Sequence, residues 1–139
     1  MLTSEELAAV LRRHGYKVTP QRLAVYEALA NEKWHPGAEA LYKKMLPHYP
    51  SMSFATVYKI LEILQKIGVI QMLNTGEDSF RYDADTFCHS HMQCTKCGAV
   101  TDVFSLDTAS LRGAAAAETG YTVTGQQFYF FGLCPACQK

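Results

Sequence analysis

The sequence has no long hydrophobic run, no basic leader and no net charge. None of its apolar stretches approaches the roughly 18–20 residues that span a bilayer, so no membrane partner is predicted. The first six residues, MLTSEE, carry acidic side chains where a secretory signal would have a basic start and an apolar core. We therefore expect a soluble, cytoplasmic protein of 139 residues, which corresponds to one domain or two very small ones.

The zero net charge argues against purely electrostatic binding to nucleic acid, but it conceals an asymmetry. Residues 1–66 contain nine Lys or Arg and six Asp or Glu, whereas residues 67–139 contain four and seven. A mildly basic first half and an acidic second half indicate two different roles.

The first half of the sequence predicts four short helices, each with its own start signal. These helices cover residues 5–14, 20–30, 38–46 and 54–67. Their start signals are a capping box formed by Thr3 and Glu6, a cap and proline at Thr19-Pro20, the pair Pro36-Gly37, and the cap residue Ser53. Gly68 is expected to end the fourth helix.

Two short β-like runs follow the helices. Residues 69–73 and 79–82 flank the turn sequence Asn74-Thr75-Gly76, which predicts a hairpin. Helices followed by a two-stranded ribbon are the outline of a winged helix-turn-helix. The predicted fold class is therefore α+β, with a winged helix-turn-helix domain at 1–83 and a second, smaller α/β domain at 84–139.

The second domain is expected to need help to fold. Its pattern predicts strands at 89–93 and 100–104, a helix at 106–119 and a long strand at 121–133. Some 55 residues are too few for a self-sufficient core without a metal or a partner.

Four cysteines supply the metal site that such a domain needs. Cys94 and Cys97 form one Cys-x-x-Cys pair, and Cys134 and Cys137 form another. Two such pairs predict a tetrahedral zinc site, and because four thiolates leave no open position, the zinc is expected to be structural. The alternatives are disulfides or free thiols, and a cytoplasmic location argues against disulfides. The fifth cysteine, Cys88, is expected to be a small buried or half-buried residue.

A second group of candidate ligands carries nitrogen and oxygen. His89 and His91 alternate on a predicted strand, so both rings are expected on one face, where they can bind Fe(II), Mn(II) or Zn(II). We expect Asp83 and Asp102 on neighbouring strand-like segments, and His35 precedes Pro36 in the first half. The spacing leaves open the alternative that these histidines face solvent or are satisfied within the core.

Several motifs, in order along nearly the whole chain, resemble the ferric-uptake-regulator (Fur) family. They are Thr19-Pro20-Gln21-Arg22, His35-Pro36, the SFATVY run at 53–58, the HSHMQCTKCG run at 89–98 and the GLCPAC run at 132–137.

The resemblance implies a metal-responsive transcriptional repressor of the bacterial cytoplasm, not an enzyme, that binds double-stranded operator DNA as a homodimer. The second domain would then be the dimerisation domain. The structural zinc would be bound by Cys94, Cys97, Cys134 and Cys137. A regulatory Fe(II) or Mn(II) would be bound by His35, Asp83, His89, His91 and Asp102. Because those ligands come from both domains, metal affinity and DNA affinity would be thermodynamically linked.

Within the family, the aspartate at position 102 resembles the peroxide-sensing branch, which usually has Asp rather than Glu there. That branch implies Fe(II)-catalysed oxidation of a ligand histidine, here His35 or His89, followed by loss of operator binding. The alternative is an iron, zinc or nickel regulator that responds to metal occupancy only. A further metal site found in many members is expected to be absent, because its positions correspond to Cys88, Ser90, Ala109 and Gln126.

The fourth helix is the candidate recognition helix. We expect Val57, Ile60, Leu61 and Leu64 on its buried face. Because recognition helices contact bases through their N-terminal turns, the candidate DNA contacts are Ser53, Ala55, Thr56, Tyr58 and Lys59, with Lys17 as a backbone or minor-groove contact. From the residues alone, the favoured interpretation is that Tyr58 is a core-edge aromatic and Lys59 a solvated charge. The resemblance favours DNA.

Two other functions compete with repression. Two histidines and a carboxylate are also the ligand set of non-haem iron oxygenases. A zinc-ribbon interaction module without any sensing role is the third possibility, and it predicts that DNA binding is indifferent to Fe(II) and Mn(II).

Overall fold

The computed structural model describes residues 1–31, 33–76 and 79–139. Its contacts divide the chain into two compact units, Met1–Thr86 and Phe87–Lys139. The fold is α+β, as predicted. Over the described ranges, no helix combines the length and the apolar composition needed to cross a bilayer.

The first unit contains four helices and a hairpin. Their bounds are α1 Ser4–Arg13, α2 Pro20–Ala30, α3 Ala38–Met45, α4 Phe54–Lys66, β1 Gln71–Asn74 and β2 Phe80–Asp83. The predicted capping box at α1 is present, with the Thr3 hydroxyl accepting from the Glu6 N–H at 3.2 Å and the Glu6 carboxylate accepting from the Thr3 N–H at 2.8 Å. Thr19 and Ser53 cap α2 and α4 through their hydroxyls.

The four helices share one apolar core. Leu7, Leu11, Val25, Leu41, Val57, Leu61 and Leu64 are each fully buried. The predicted buried face of α4 is confirmed, and Ile63 extends it. Gly68 follows α4 with a φ of +77°, a left-handed conformation in which other residues are strained. This glycine therefore ends the helix and directs the chain into β1.

The hairpin β1–β2 is the wing. Its strands are antiparallel, with Gln71 opposite Asp83 and Asn74 opposite Phe80. Tyr82 and Met72 pack on the helical core, which anchors the wing to the first unit.

The second unit contains three strands and one helix. They are β3 Ser90–Cys94, β4 Val100–Val103, α5 Ala109–Thr119 and β5 Tyr129–Gly132. The strand order is β4-β3-β5, with β3 antiparallel to β4 and parallel to β5.

The second unit buries very little of itself. Among its described residues, the buried side chains are those of His89, Ser90, His91, Cys94 and Thr108, and no residue of α5 is buried. These five side chains are all polar or of the metal-ligating type, so the unit has almost no apolar core of its own.

The prediction of one long strand over residues 121–133 is wrong, because only Tyr129–Gly132 is a strand. Residues 121–127 alternate in polarity as a strand would, but among the described residues no strand pairs with them. Hydrogen bonding to β3 begins only at Phe128, whose carbonyl accepts from the N–H of His91 at 3.0 Å. β-propensity describes how well a side chain fits a pleated neighbouring surface, and that neighbour is missing here. The helix predicted at 106–119 also begins later, at Ala109.

Candidate metal centres and DNA-binding surface

Four cysteine thiols converge at one end of the three-stranded sheet. Cys94 ends β3 and Cys97 lies on the turn after it, while Cys134 and Cys137 lie on the turn after β5. Because β3 and β5 are parallel neighbours, both turns leave the same end of the sheet. The four Sγ atoms lie within 4.8 Å of one another, and those of Cys97 and Cys134 are 3.8 Å apart. A tetrahedron with Zn–S distances of about 2.3 Å has edges of about 3.8 Å. The cluster fits a structural zinc.

Interactions among the four cysteines shift two of their thiol pKa values in opposite directions. The backbone N–H groups of Cys134 and Cys97 donate to Sγ of Cys94 at 3.4 and 3.5 Å and lower its pKa to about 6. The side-chain hydrogen bond with Cys134 raises the pKa of Cys137 to about 12. One thiol is therefore ionised at neutral pH, whereas another loses its proton only when a cation compensates the charge.

A second ligand cluster lies within the same unit, on β3 and β4. His91 faces Asp102 directly in the β3–β4 ladder, and His89 lies two residues earlier. Oδ1 of Asp102 lies 3.1 Å from Nε2 of His89 and 3.4 Å from Nε2 of His91. Both histidines are buried. The predicted common face is confirmed by the 4.5 Å distance between their ring centroids.

The carbonyl of Phe87 determines which nitrogen of His89 is available. Nδ1 of His89 lies 2.7 Å from that carbonyl oxygen, so it carries the proton and donates. A neutral His89 therefore points the lone pair of Nε2 toward the carboxylate oxygen of Asp102. The two atoms are 3.1 Å apart, so a cation beside them could bind to both. This is the arrangement of a metal-ligating histidine with its second nitrogen bound to a carbonyl.

Aromatic side chains pack against the two imidazoles. The ring of Phe104 lies 4.8 Å from that of His89, and the ring of Tyr129 is stacked at 6.0 Å on that of His91. These ring contacts help to orient the two imidazole planes.

The first unit carries a smaller ligand pair. Nε2 of His35 lies 3.5 Å from Oδ2 of Asp83, and both side chains are buried. His35 precedes α3, and Asp83 ends β2.

Two hydrogen bonds attach the loop that carries His35 to strand β2 of the wing. The guanidinium of Arg81 donates to the His35 carbonyl at 3.1 Å, and the N–H of Tyr82 donates to the Pro36 carbonyl at 3.0 Å. Gly37 passes so close to β2 that a Cβ there would lie 3.3 Å from a backbone oxygen. Three successive residues of this loop, His35, Pro36 and Gly37, therefore contact β2.

Two sequence predictions need correction. Asp83 and Asp102 do not lie on neighbouring strands, because Asp83 ends a strand of the wing and Asp102 lies in the three-stranded sheet of the other unit. Cys88 is exposed rather than buried. It precedes β3, and Nε2 of Gln126 donates to its Sγ at 3.2 Å. The hydrogen bonds from Gln126 and Thr108 lower the pKa of the Cys88 thiol.

Sequence reasoning missed three residues around these clusters. The carbonyl of Phe87 acts through the backbone, which composition does not reveal. Arg81 and Gln71 lie on the predicted wing strands, and Nε2 of Gln71 contacts Asp83 at 3.3 Å. The predicted strand limits, 69–73 and 79–82, would not have placed Gln71 opposite Asp83, which is the register that the structure shows.

The N-terminal turns of α4 present the candidate DNA contacts. Ser53, Ala55, Tyr58 and Lys59 are exposed and Thr56 is partly exposed, and Lys17 is exposed before α2. Ser53 also caps α4, with its hydroxyl accepting from the Thr56 N–H at 3.1 Å. Lys59 pairs with Glu62 at 3.4 Å on the surface, a contact of the kind that contributes little to stability. Lys59 is thus available to a phosphate or a base.

Comparisons with known proteins agree with this architecture. Residues 13–131 match the ferric uptake regulator family. The chain is 33% identical over 135 residues to the peroxide-responsive repressor PerR of Staphylococcus epidermidis, an alignment that covers 97% of this chain and 90% of that protein.

Solved structures show the same similarity. The Campylobacter jejuni peroxide stress regulator is 33% identical with a TM-score of 0.76, over 95% of this chain and 99% of that one. The Vibrio cholerae ferric uptake regulator is 30% identical with a TM-score of 0.77, over 92% and 99%.

Proposed function

The chain belongs to the ferric uptake regulator family, and from this premise we propose that it is a metal-dependent repressor that hydrogen peroxide inactivates. Members of this family are transcription regulators, so the ligand clusters are interpreted as sensing and structural sites rather than as a catalytic centre. The proposal assigns a structural Zn(II) to the four cysteines. It assigns one regulatory Fe(II) or Mn(II) to His35, Asp83, His89, His91 and Asp102.

One observation carries the regulatory assignment most directly. Oδ1 of Asp102 faces the lone pair of Nε2 of His89, which the Phe87 carbonyl holds in the metal-binding tautomer. Two imidazoles and a carboxylate suit divalent iron, manganese or zinc. The buried pair His35 and Asp83 offers another nitrogen and another oxygen of the same chemistry.

The two ligand groups belong to different units, and this provides the mechanism. A metal that takes ligands from both would restrict how the first unit is presented to DNA. Metal affinity and operator affinity would then be coupled by the same free energy. On the wing side, the loop of His35 and the end of β2 would move as one piece, since Arg81 and Tyr82 join them.

Peroxide sensing is the finer part of the proposal. Fe(II) held by these ligands would supply redox chemistry toward hydrogen peroxide. The imidazole of His35 or His89 would then gain one oxygen atom from the peroxide, with water as the other product. The ring of His35 or His89 would then bind metal poorly, and operator affinity would fall. Support comes from Asp at position 102 and from the similarity to peroxide regulators. A regulator of metal uptake that responds to occupancy only is the second candidate, favoured by the similarity to the Vibrio cholerae ferric uptake regulator.

DNA recognition is assigned to α4. Ser53, Ala55, Thr56, Tyr58 and Lys59 would enter the major groove from the N-terminal turns of the helix, with Tyr58 against thymine methyls, while Lys17 contacts the backbone. Tyr58 is 47% exposed, far more than a core-edge aromatic needs.

The second unit is proposed to form the homodimer interface. Large apolar side chains there are exposed in the single chain, including Phe104 (66%), Leu111 (52%), Phe131 (60%) and Leu133 (49%). An apolar surface of this kind on a unit with almost no core indicates a protein partner, and a second copy satisfies the two-fold symmetry of many operators.

The experiment that tests the proposal measures DNA binding as a function of metal. A duplex is first selected from a random pool with the Mn(II)-loaded protein. Anisotropy titrations should then show tight binding with Mn(II) and at least tenfold weaker binding without it. His35→Ala should abolish the metal dependence while zinc stays near one per chain. DNA binding that ignores Mn(II) in the unaltered protein would favour a zinc-ribbon module without a sensing role.

A further inference from the structure

Gln71 contacts the metal-binding carboxylate of the first unit from across the wing. Its Nε2 donates to Oδ2 of Asp83 at 3.3 Å and to the backbone carbonyl of Asp85 at 2.6 Å. Because both partners are oxygens, these contacts require the amide to present its NH₂ group here. Gln71 lies directly opposite Asp83 in the β1–β2 ladder, so the contact is a feature of the hairpin register.

A second donor acts on the other oxygen of the same carboxylate. The backbone N–H of Asp85 donates to Oδ1 of Asp83 at 2.8 Å. The two donors, one on each oxygen, define the plane of the carboxylate. Oδ2 is also the atom that lies 3.5 Å from Nε2 of His35. Oδ2 therefore lies beside both the Gln71 amide and the His35 imidazole, where a carboxylate oxygen with two lone pairs could also contact a cation.

We propose that Gln71 is a positioning residue for the regulatory metal, holding Asp83 as a one-oxygen ligand through Oδ2. The inference rests on the proposed function, because it requires Asp83 to be a ligand. Gln71 itself does not contact the metal. It acts as the hydrogen-bonded partners of ligating carboxylates do, by fixing the orientation of the ligand.

The position of Gln71 adds a consequence for the wing. The donor is on β1 and the ligand is on β2, so a cation that immobilises Asp83 also immobilises the contact between the two strands. Metal binding should therefore slow local opening of the hairpin, and the effect should depend on Gln71.

Gln71→Met tests the inference, because methionine has nearly the shape of glutamine and no donor. The probe is Mn(II) alone, titrated into the zinc-containing full chain and followed by electron paramagnetic resonance of the free ion. We expect the Kd for Mn(II) to rise about tenfold. Gln65→Met, at an exposed position of α4, is the matched control and should leave the Kd unchanged. Melting of the metal-free variants reports any general loss of stability.

A double-mutant cycle separates positioning from folding. In an Asp83→Asn background, Gln71→Met should cause no further loss of Mn(II) affinity, since its effect passes through the Asp83 carboxylate. Hydrogen exchange of the β1 amides should slow on addition of Mn(II) in the unaltered protein but not in Gln71→Met.

The outcomes are distinguishable. If Asp83→Asn weakens Mn(II) binding but Gln71→Met changes the Kd by less than twofold, the positioning role is wrong and the proposed metal site stands. The positioning role is also wrong if the effect of Gln71→Met adds to that of Asp83→Asn. If Asp83→Asn leaves the Mn(II) Kd unchanged, Asp83 is not a ligand, and both the inference and that part of the proposed function are wrong.

Discussion

Oδ1 of Asp102 lies 3.1 Å from Nε2 of His89, on the side of the ring opposite the nitrogen that donates to Phe87. With Nδ1 donating to the Phe87 carbonyl, the lone pair of Nε2 faces the carboxylate oxygen of Asp102, and a cation between these two atoms would bind to both. A cation that binds between the two groups would offset the repulsion between the lone pair and the carboxylate. Metal affinity and the stability of this cluster are therefore expected to depend on the same pair of atoms.

Asp102→Asn should stabilise the metal-free protein and at the same time weaken its binding of Mn(II). The asparagine amide can donate to Nε2 of His89, so the metal-free variant should gain about 1 kcal/mol in free energy of unfolding. The same change removes the charged ligand, and the Mn(II) Kd should rise at least tenfold. Calorimetry of the metal-free protein and a Mn(II) titration measure the two quantities. Asp107→Asn, on the exposed segment before α5, is the control and should change neither.

Zinc binding should release fewer protons than four neutral thiols carry. Hydrogen bonds from the backbone of Cys134 and Cys97 lower the pKa of Cys94 to about 6, so at pH 7.5 this thiol is already a thiolate. Cys137, with its pKa raised to about 12 chiefly by the hydrogen bond with Cys134, gives up its proton on binding. Titration calorimetry of zinc-free protein in buffers of different ionisation enthalpy counts the protons released.

The pH dependence of zinc binding follows from the same pKa values. A lowered pKa means that the Cys94 thiolate is present above about pH 6 and is lost as the pH falls through that value. Zinc affinity should therefore fall more steeply below pH 6 than above it. A release of four protons at pH 7.5 would contradict the assignment of Cys94 as the ionised thiol.

Thr19→Ala should destabilise the first unit without affecting either metal cluster. The Thr19 hydroxyl accepts from the Arg22 N–H at 3.3 Å and caps α2. Losing such a cap costs about 1 kcal/mol. Urea unfolding should show this loss, whereas Thr19→Ser, which keeps the acceptor, should stay within about 0.5 kcal/mol of the unaltered protein. Equal losses in both variants would indicate that the methyl group, not the cap, matters.

Lys59→Ala should show whether α4 contacts phosphate or base. A phosphate contact predicts uniformly weaker binding to all duplexes and a salt slope smaller by about 1. A guanine contact predicts a loss of about 1–3 kcal/mol that is confined to duplexes with that guanine. Lys43→Ala, on the exposed face of α3 beside Glu39, is the control. If Lys59→Ala matches the control on every duplex, Lys59 is only a solvated charge.

Tyr58 is tested by changing the DNA as well as the protein. Replacing thymine by uracil removes a methyl group and nothing else, so it should weaken binding at the position that Tyr58 contacts. In a Tyr58→Ala variant, the same replacement should have no further effect. A uracil scan that weakens both proteins equally at every position would exclude a methyl contact by Tyr58.

The first unit was predictable from local chemistry because its helices carry explicit boundaries. Thr19 followed by Pro20 predicts the start of α2 at the residue where the structure has it, and Gly68 marks the end of α4. The four-cysteine cluster was predictable for a similar reason. Two residues between thiols fix a tight turn, and only the pairing of the turns depends on the rest of the fold.

The sequence-based predictions that were wrong or missing concern features that depend on other parts of the fold or on the backbone. Whether residues 121–127 form a strand depends on a pairing partner, which the local alternation of polarity does not specify. That Asp83 and Asp102 lie in different sheets is a matter of topology. The role of the Phe87 carbonyl leaves no trace in residue type, because every residue has one.

The central claim is tested most directly by exposing the metal-loaded protein to hydrogen peroxide. Fe(II)-loaded and Mn(II)-loaded forms are bound to the selected duplex, treated with stoichiometric peroxide without oxygen, and followed by anisotropy and by mass spectrometry of the peptides that contain His35 and His89. We predict that only the Fe(II) form releases DNA and that one of these peptides gains a single oxygen atom. If both forms stay bound and neither peptide changes mass, the protein is a sensor of metal occupancy and the peroxide account is wrong.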